Sequence, residues 1–187
     1  MSSKGSSFER EICVLLSKWW TDGKDEDVFW RTAGSGARAT MRAKVGKKTY
    51  GNNGDIKSEN PIGEPLTKLC CIELKRGYSK DTVFNIIDKP KKAKKQMYED
   101  FFEQAKRESS ESGIPYWMLI TRRDRRESIV YIPRDFYQAL QGRCSLKAYC
   151  YLSCYGWKVY MIPLVRFLLQ VQPMQIKCLY DQLQNKI

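Results

Sequence analysis

At 187 residues the chain is long enough to bury a sizeable core within one domain. Lys and Arg number 33 against 21 Asp and Glu, and the resulting charge of +12 favours polyanions: nucleic acid first, then anionic membrane or acidic protein. The complete absence of His excludes His-based acid–base catalysis, Ser-His and Cys-His nucleophiles and every His-containing zinc site, so any hydrolysis must use carboxylates, Lys and a metal.

Ser6 or Ser7 is placed to cap a first helix running to about Trp20, whose apolar positions Phe8, Ile12, Leu15, Leu16 and Trp19 recur at helical spacing. Glu9 falls at the rim of that face, where a carboxylate is also favoured by the helix dipole alone. Val28–Arg31 reads as a short strand. The following Thr32-Ala33-Gly34-Ser35-Gly36-Ala37-Arg38 suits a phosphate-binding loop, with Arg31 and Arg38 bracketing it. Residues 39–54 read as a basic loop or hairpin, and Ser58–Lys68 as a polar, proline-bearing connection. A helix is expected from Met97 to Gly113, with Gln104 on the edge of its apolar face, either aimed into a site or, as the plainer reading, on a solvated rim. Tyr116–Thr121 and Ser128–Pro133 read as strands flanking the basic turn Arg122–Arg126, and Arg134–Gln141 as a short helix. Leu146–Ser153 and Trp157–Ile162 are expected to pair through a turn at Tyr155-Gly156. The tail Leu164–Ile187 is expected as two helical pieces broken at Pro173, and the aromatic, apolar stretch Tyr149–Val171 is expected to close the core, with an interface as the alternative.

Seven irregularly spaced Cys without a C-x-x-C pair, and no secretory signal, point to a reduced, cytoplasmic setting. A metal cluster of Cys144, Cys150 and Cys154 with Cys178 is conceivable, but small buried thiols are the ordinary case. No apolar run reaches the roughly 20 residues of a membrane span.

The stretch that organises the chain is Cys70-Cys71-Ile72-Glu73-Leu74-Lys75, an apolar strand into which two opposite charges are set. On a strand Glu73 and Lys75 project to one face while Ile72 and Leu74 point to the other. Alone, the triplet reads equally as a surface ion pair. Gly54-Asp55-Ile56-Lys57 precedes it, and pairing of the two strands would bring Asp55 beside Glu73. Asp55-Ile56-Lys57 is a competing triplet with weaker support as a strand.

These pieces together resemble the PD-(D/E)XK nuclease superfamily, and within it the archaeal-type Holliday junction resolvases. The matching residues are Lys4-Gly5 with Glu9-Arg10-Glu11, Arg31-x-Ala33-Gly34-Ser35, Gly54-Asp55 and Ile72-Glu73-Leu74-Lys75, over residues 4–121 or so. Gly54 stands where that pattern usually has proline, and segments 38–53 and 56–72 are longer than in the small archaeal enzymes.

The resemblance implies an α/β, restriction-endonuclease-like fold, a central mixed sheet flanked by helices. One nuclease domain would fill 1–187, with a core of about 4–135 and an extension of about 144–187. It implies catalysis by Glu9, Asp55, Glu73 and Lys75. Mg²⁺ (with Mn²⁺ as a substitute) would be held by Asp55, Glu73, Glu9 and the Leu74 carbonyl. Lys4, Arg10, Arg31, Ser35 and Arg38 would contact DNA. The implied protein is a homodimer resolving four-way junctions in recombination and repair. A restriction-like, repair or mobile-element nuclease of the same fold, or a catalytically silent nucleic-acid binder, are the alternatives.

Overall fold

The computed structural model describes residues 4–32, 54–90, 92 and 95–185. Its core is a five-stranded mixed sheet, ordered β3 (Cys70–Arg76), β4 (Tyr116–Arg122), β5 (Ile129–Pro133), β7 (Trp157–Pro163) and β6 (Cys150–Cys154). β3 and β4 are parallel and the other pairs antiparallel. Two short strands, β1 (Phe29–Arg31) and β2 (Ile56–Ser58), pair antiparallel beside it. Asp55 joins them to the large sheet, its N–H donating to the Ile72 carbonyl at 2.8 Å.

Side-chain alternation divides the sheet into two faces. Ile72 and Leu74, Met118 and Ile120, and Val130 and Ile132 pack toward helix α1 (Lys4–Trp20) together with the C-terminal helices. Trp117, Leu119, Tyr131, Leu152 and Val159 pack toward the other side, against Tyr98, Phe101, Phe102 and Ala105. Those four belong to the helix expected at Met97–Gly113, which runs Met97–Ser112 and ends at Gly113 in the left-handed region (φ 70°).

Several expectations need correcting. The first helix begins at Lys4, so Ser6 and Ser7 lie inside it rather than capping it, and the Ser6 hydroxyl instead accepts from Arg31 at 2.5 Å. Leu15 is exposed, while Cys13 and Trp20 take buried positions on that face. The connection read as loop holds a 3₁₀ turn, Pro61–Gly63, and a helix α2, Glu64–Leu69. Asn60 caps the turn by accepting from the Ile62 N–H at 3.1 Å, and Pro61 and Pro65 sit in first turns, where a missing N–H costs nothing. Here proline marks starts, not breaks. The tail forms the two expected helical pieces, Leu164–Gln170 and Pro173–Gln184, with Pro173 opening the second.

With α3 (Phe84–Ile87) preceding the Met97–Ser112 helix, that helix becomes α4, followed by α5 (Arg134–Gln141), α6 (Leu164–Gln170) and α7 (Pro173–Gln184). The Tyr155-Gly156 turn joins β6 to β7 with both residues at positive φ, 47° and 82°, the geometry of a tight hairpin. The tail joins the core: Leu164, Phe167, Leu168, Val171, Ile176 and Leu179 are buried in the cluster that holds Phe8, Ile12 and Ile72. Among the described residues no helix is long and apolar enough to cross a membrane.

Candidate active site

The site is built where the chain enters β2. Gly54 adopts φ +72°, and a Cβ there would stand 2.5 Å from the Ile72 carbonyl oxygen, so only glycine permits this approach of backbone to backbone. Proline, locked near −65°, is incompatible with that conformation, which accounts for the departure from the usual pattern. Thr32 fixes the segment from the other side, its hydroxyl donating to the Gly54 carbonyl at 2.7 Å and its N–H to the Asp55 carbonyl at 3.0 Å. Asp55 is thereby delivered to β3, and its Oδ2 accepts from the Leu74 N–H at 2.8 Å. The carboxylate replaces a strand carbonyl in the ladder.

Glu73 emerges from the α4 side of β3 and is 1 % exposed. Its Oε1 accepts from Lys75 Nζ at 2.5 Å and from Gln104 Nε2 at 2.7 Å. Gln104 does not lie on a solvated rim: its amide nitrogen also donates to Glu108 Oε1 at 3.0 Å, holding both carboxylates at once. Lys75 Nζ lies 5.7 Å from the centroid of the Phe101 ring, which screens it on the α4 side.

Burial pushes both carboxyls up, Asp55 to about 6 and Glu73 to about 8. Asp55 raises Glu73 further, Glu108 adds to both, and Glu9 adds to Asp55; the Leu74 N–H bond to Asp55 and the Lys75 charge work against the rise. For Lys75, burial favours the neutral amine, but Glu73, through charge and hydrogen bond, and Asp55 outweigh it and leave its pKa raised. The ammonium is held charged at neutral pH.

Glu9 sits at the edge of this group, with Arg31 Nη1 3.5 Å from its Oε2. Arg10 is exposed and Lys4 opens α1. Ser35, Arg38 and the basic stretch 39–53 lie outside the described residues. The competing Lys57 pairs with Glu59 at 2.5 Å, on an exposed part of β2. Cys144, Cys150, Cys154 and Cys178 are free thiols, and among the described residues no three His, Cys, Asp or Glu side chains gather closely enough to cage an ion. Glu108 was not singled out from the sequence. The available signal was its position one turn beyond Gln104, at i+4 on the same helical face.

A family model described as "Phage putative PDDEXK endonuclease" matches residues 1–176. The chain belongs to that family. No curated protein and no solved structure matches it. The endonuclease therefore sits in the PD-(D/E)XK superfamily, and its mixed sheet flanked by helices is the restriction-endonuclease-like fold. The match runs beyond residues 4–121 into α7, taking in the strands and helices of the C-terminal third. Nucleases of the superfamily generally use divalent metals, and the donor set suits a hard cation. Asp55 and Glu73 offer buried carboxylate oxygens whose ionisation burial opposes, a penalty that a bound cation would relieve. The described hydrogen bonds fall on one oxygen of each, Oδ2 of Asp55 and Oε1 of Glu73.

Proposed function

We propose that this endonuclease hydrolyses phosphodiester bonds of DNA with Mg²⁺, for which Mn²⁺ substitutes, and that a homodimer acting on four-way junctions is its working form. The observation that carries the chemistry is the buried pair Asp55 and Glu73 with Lys75 hydrogen-bonded to Glu73. Asp55, Glu73 and the Leu74 carbonyl would hold the ion, with Glu9 joining directly or through water. When bound, it would supply Lewis-acid stabilisation of charge on the phosphate.

The protein's own groups do the rest. Lys75, kept protonated by Glu73, is aimed by that bond to neutralise charge building on the phosphate or to hold the attacking water. Gln104 fixes the Glu73 rotamer from α4, so the carboxylate keeps its direction when substrate enters. Arg31, together with Arg10, Lys4, Ser35 and Arg38, would meet the phosphate backbone, in keeping with the charge of +12. Resolving a junction takes two symmetric nicks, which two copies related by a two-fold axis deliver. The cytoplasm is the compartment proposed.

A second reading has its own support: the matching family is named for phage proteins, which favours a phage or mobile-element nuclease cutting duplex or flaps. Cleavage of labelled four-way junction, duplex, flap and single strand with Mg²⁺, by wild type and Glu73→Ala, separates the two. Paired symmetric nicks confined to the junction and lost in the variant are expected. Variant-sensitive cutting of duplex or flaps would transfer the enzyme to the second reading. Binding without cutting of any substrate would leave a silent binder and end the catalytic assignment.

A further inference from the structure

The sheet face that carries Glu73 and Lys75 continues across the molecule. Paired residues share a face, so Lys75 leads to Thr121 of β4 and Thr121 to Ile129 of β5. Alongside, Glu73 leads to Leu119, Tyr131 and then Met161 of β7. α4 covers the middle of this surface with Phe101, Phe102 and Ala105. Beside Tyr98, in the first turn of α4, the cover stops and the face opens into a cleft of about 440 Å³. Thr121, Ile129, Tyr131 and Met161 all line it, so it begins one strand from Lys75, about 5 Å across the sheet.

The cleft's chemistry is specific. Tyr98 and Tyr131 are buried in its wall, while Phe84 and Tyr149 stand exposed at its rim. In its depth the Thr121 hydroxyl lies 3.4 Å from that of Tyr98, giving a polar pair among apolar surfaces. Arg123 and Arg126 line it together with Glu127, leaving it positive. Rings to stack on, hydroxyls for a polar edge and guanidiniums for an anion together match a heterocycle attached to a phosphate chain. An aliphatic ligand would leave the hydroxyl pair and both arginines without a function. A base inside a duplex is stacked and paired, and cannot enter.

We propose that this cleft receives one unpaired nucleobase, belonging to a nucleotide next to the phosphate held at Asp55, Glu73 and Lys75. The proposal rests on reading that site as the nuclease centre. It adds a substrate preference: DNA with an unpaired nucleotide beside the cut is held better than continuous duplex.

The test uses the full chain carrying Glu73→Gln, so that DNA is bound and not cut. The probes are a short labelled duplex with one unpaired thymidine or adenosine nucleotide, the same duplex with that nucleotide abasic, and the fully paired duplex. The abasic probe keeps the backbone and its charge and removes only the base. Fluorescence anisotropy is expected to show roughly tenfold tighter binding of the probe with the base, the size of one stacked base. Two sets of changes at exposed positions, Phe84→Ala with Tyr149→Ala and separately Cys150→Trp, which fills the cleft from β6, should remove that preference while far-UV circular dichroism and melting stay unchanged. Equal binding of the three probes, or a preference that survives both sets, overturns the proposal. So does a change in sedimentation without a change in base preference, which would make the cleft a contact between copies. Wild-type cleavage of the same probes is read separately. Cutting without base preference removes only the cleft assignment, whereas no cutting of any probe removes the nuclease centre and the cleft's place beside it.

Discussion

At the scale of single residues, the site combines groups whose environments oppose their ionisation. Asp55 and Glu73 have pKa values raised in the folded chain by burial first and then by neighbouring carboxylates, to about 6 and about 8. Between about pH 4, where an unfolded carboxyl titrates, and about pH 8, the folded state therefore binds more protons than the unfolded state. These two groups thus contribute stability that is lost as pH rises through that window. In EDTA the wild-type Tm is expected to drop by roughly 5–10 °C from pH 5 to pH 8.5, the equivalent of a few kcal/mol in a chain of this size. Asp55→Asn with Glu73→Gln should flatten the decline, and Mg²⁺ should restore the lost Tm at pH 8.5 only in the wild type. Calorimetry at several pH values checks this, and an equal slope in wild type and double variant would contradict it. Gly54 makes an independent prediction. Ala there costs ~1–2 kcal/mol for the left-handed backbone and drives a methyl into the Ile72 carbonyl, 2.5 Å away. Proline, despite being the usual residue of the pattern, should be the worse replacement, because its φ cannot reach +72°. Both should displace Asp55 and lower cleavage at least tenfold, alongside a reduced Tm. A proline variant with full activity would show that the entry into β2 is not held as described.

At the scale of elements, what could be read from the sequence followed from periodicity. The Glu73/Lys75 face was legible because a period of two separates them from Ile72 and Leu74, and the structure divides them that way, with Ile72 and Leu74 in the α1-side cluster. The α4 limits were legible because an apolar stripe ended at Gly113. α2 was not, since Pro61 and Pro65 look like loop residues until Asn60 is recognised as a cap. Gln104 and Glu108 could be placed on a helix but not aimed. Whether a rim residue faces solvent or a site depends on which strand the helix crosses, and that is decided by long-range pairing of β3 with β4. Glu9 shows the same limit from the other side. Its place on α1 was readable, but its engagement by Arg31 depends on β1 lying across the helix start.

At the scale of the molecule, the C-terminal third determines whether α1 can present Glu9 at all. α1 buries Phe8, Ile12, Leu16 and Trp20 against one sheet face, and α6 and α7 complete that layer with Phe167, Leu168, Val171, Ile176 and Leu179. The contact is also polar: the Trp19 indole N–H is shared by the Leu168 and Val171 carbonyls, at 3.0 Å each. These two carbonyls stand at the end of α6, where helix carbonyls lack partners of their own, so the indole satisfies groups that would otherwise be stranded. Lys177 of α7 lies over the neighbouring Trp20 ring, 5.2 Å from its centroid. A dispensable extension would not carry the fully enclosed side chains of the sheet's main layer. A chain ending at Pro163 should therefore lose its cooperative thermal transition, not merely its partners. Phe167→Ala, which empties a site only 2 % exposed, should cost about 3–5 kcal/mol. That loss lowers Tm by roughly 2–4 °C per kcal/mol, and activity measured well below the new Tm should stay near wild type because Glu73 and Lys75 lie on the other face of β3 and Asp55 is held by the β3 backbone itself. A truncated chain that melts cooperatively and still cleaves DNA would instead make α6 and α7 an appendage, and the support of α1 would have to come from the sheet alone.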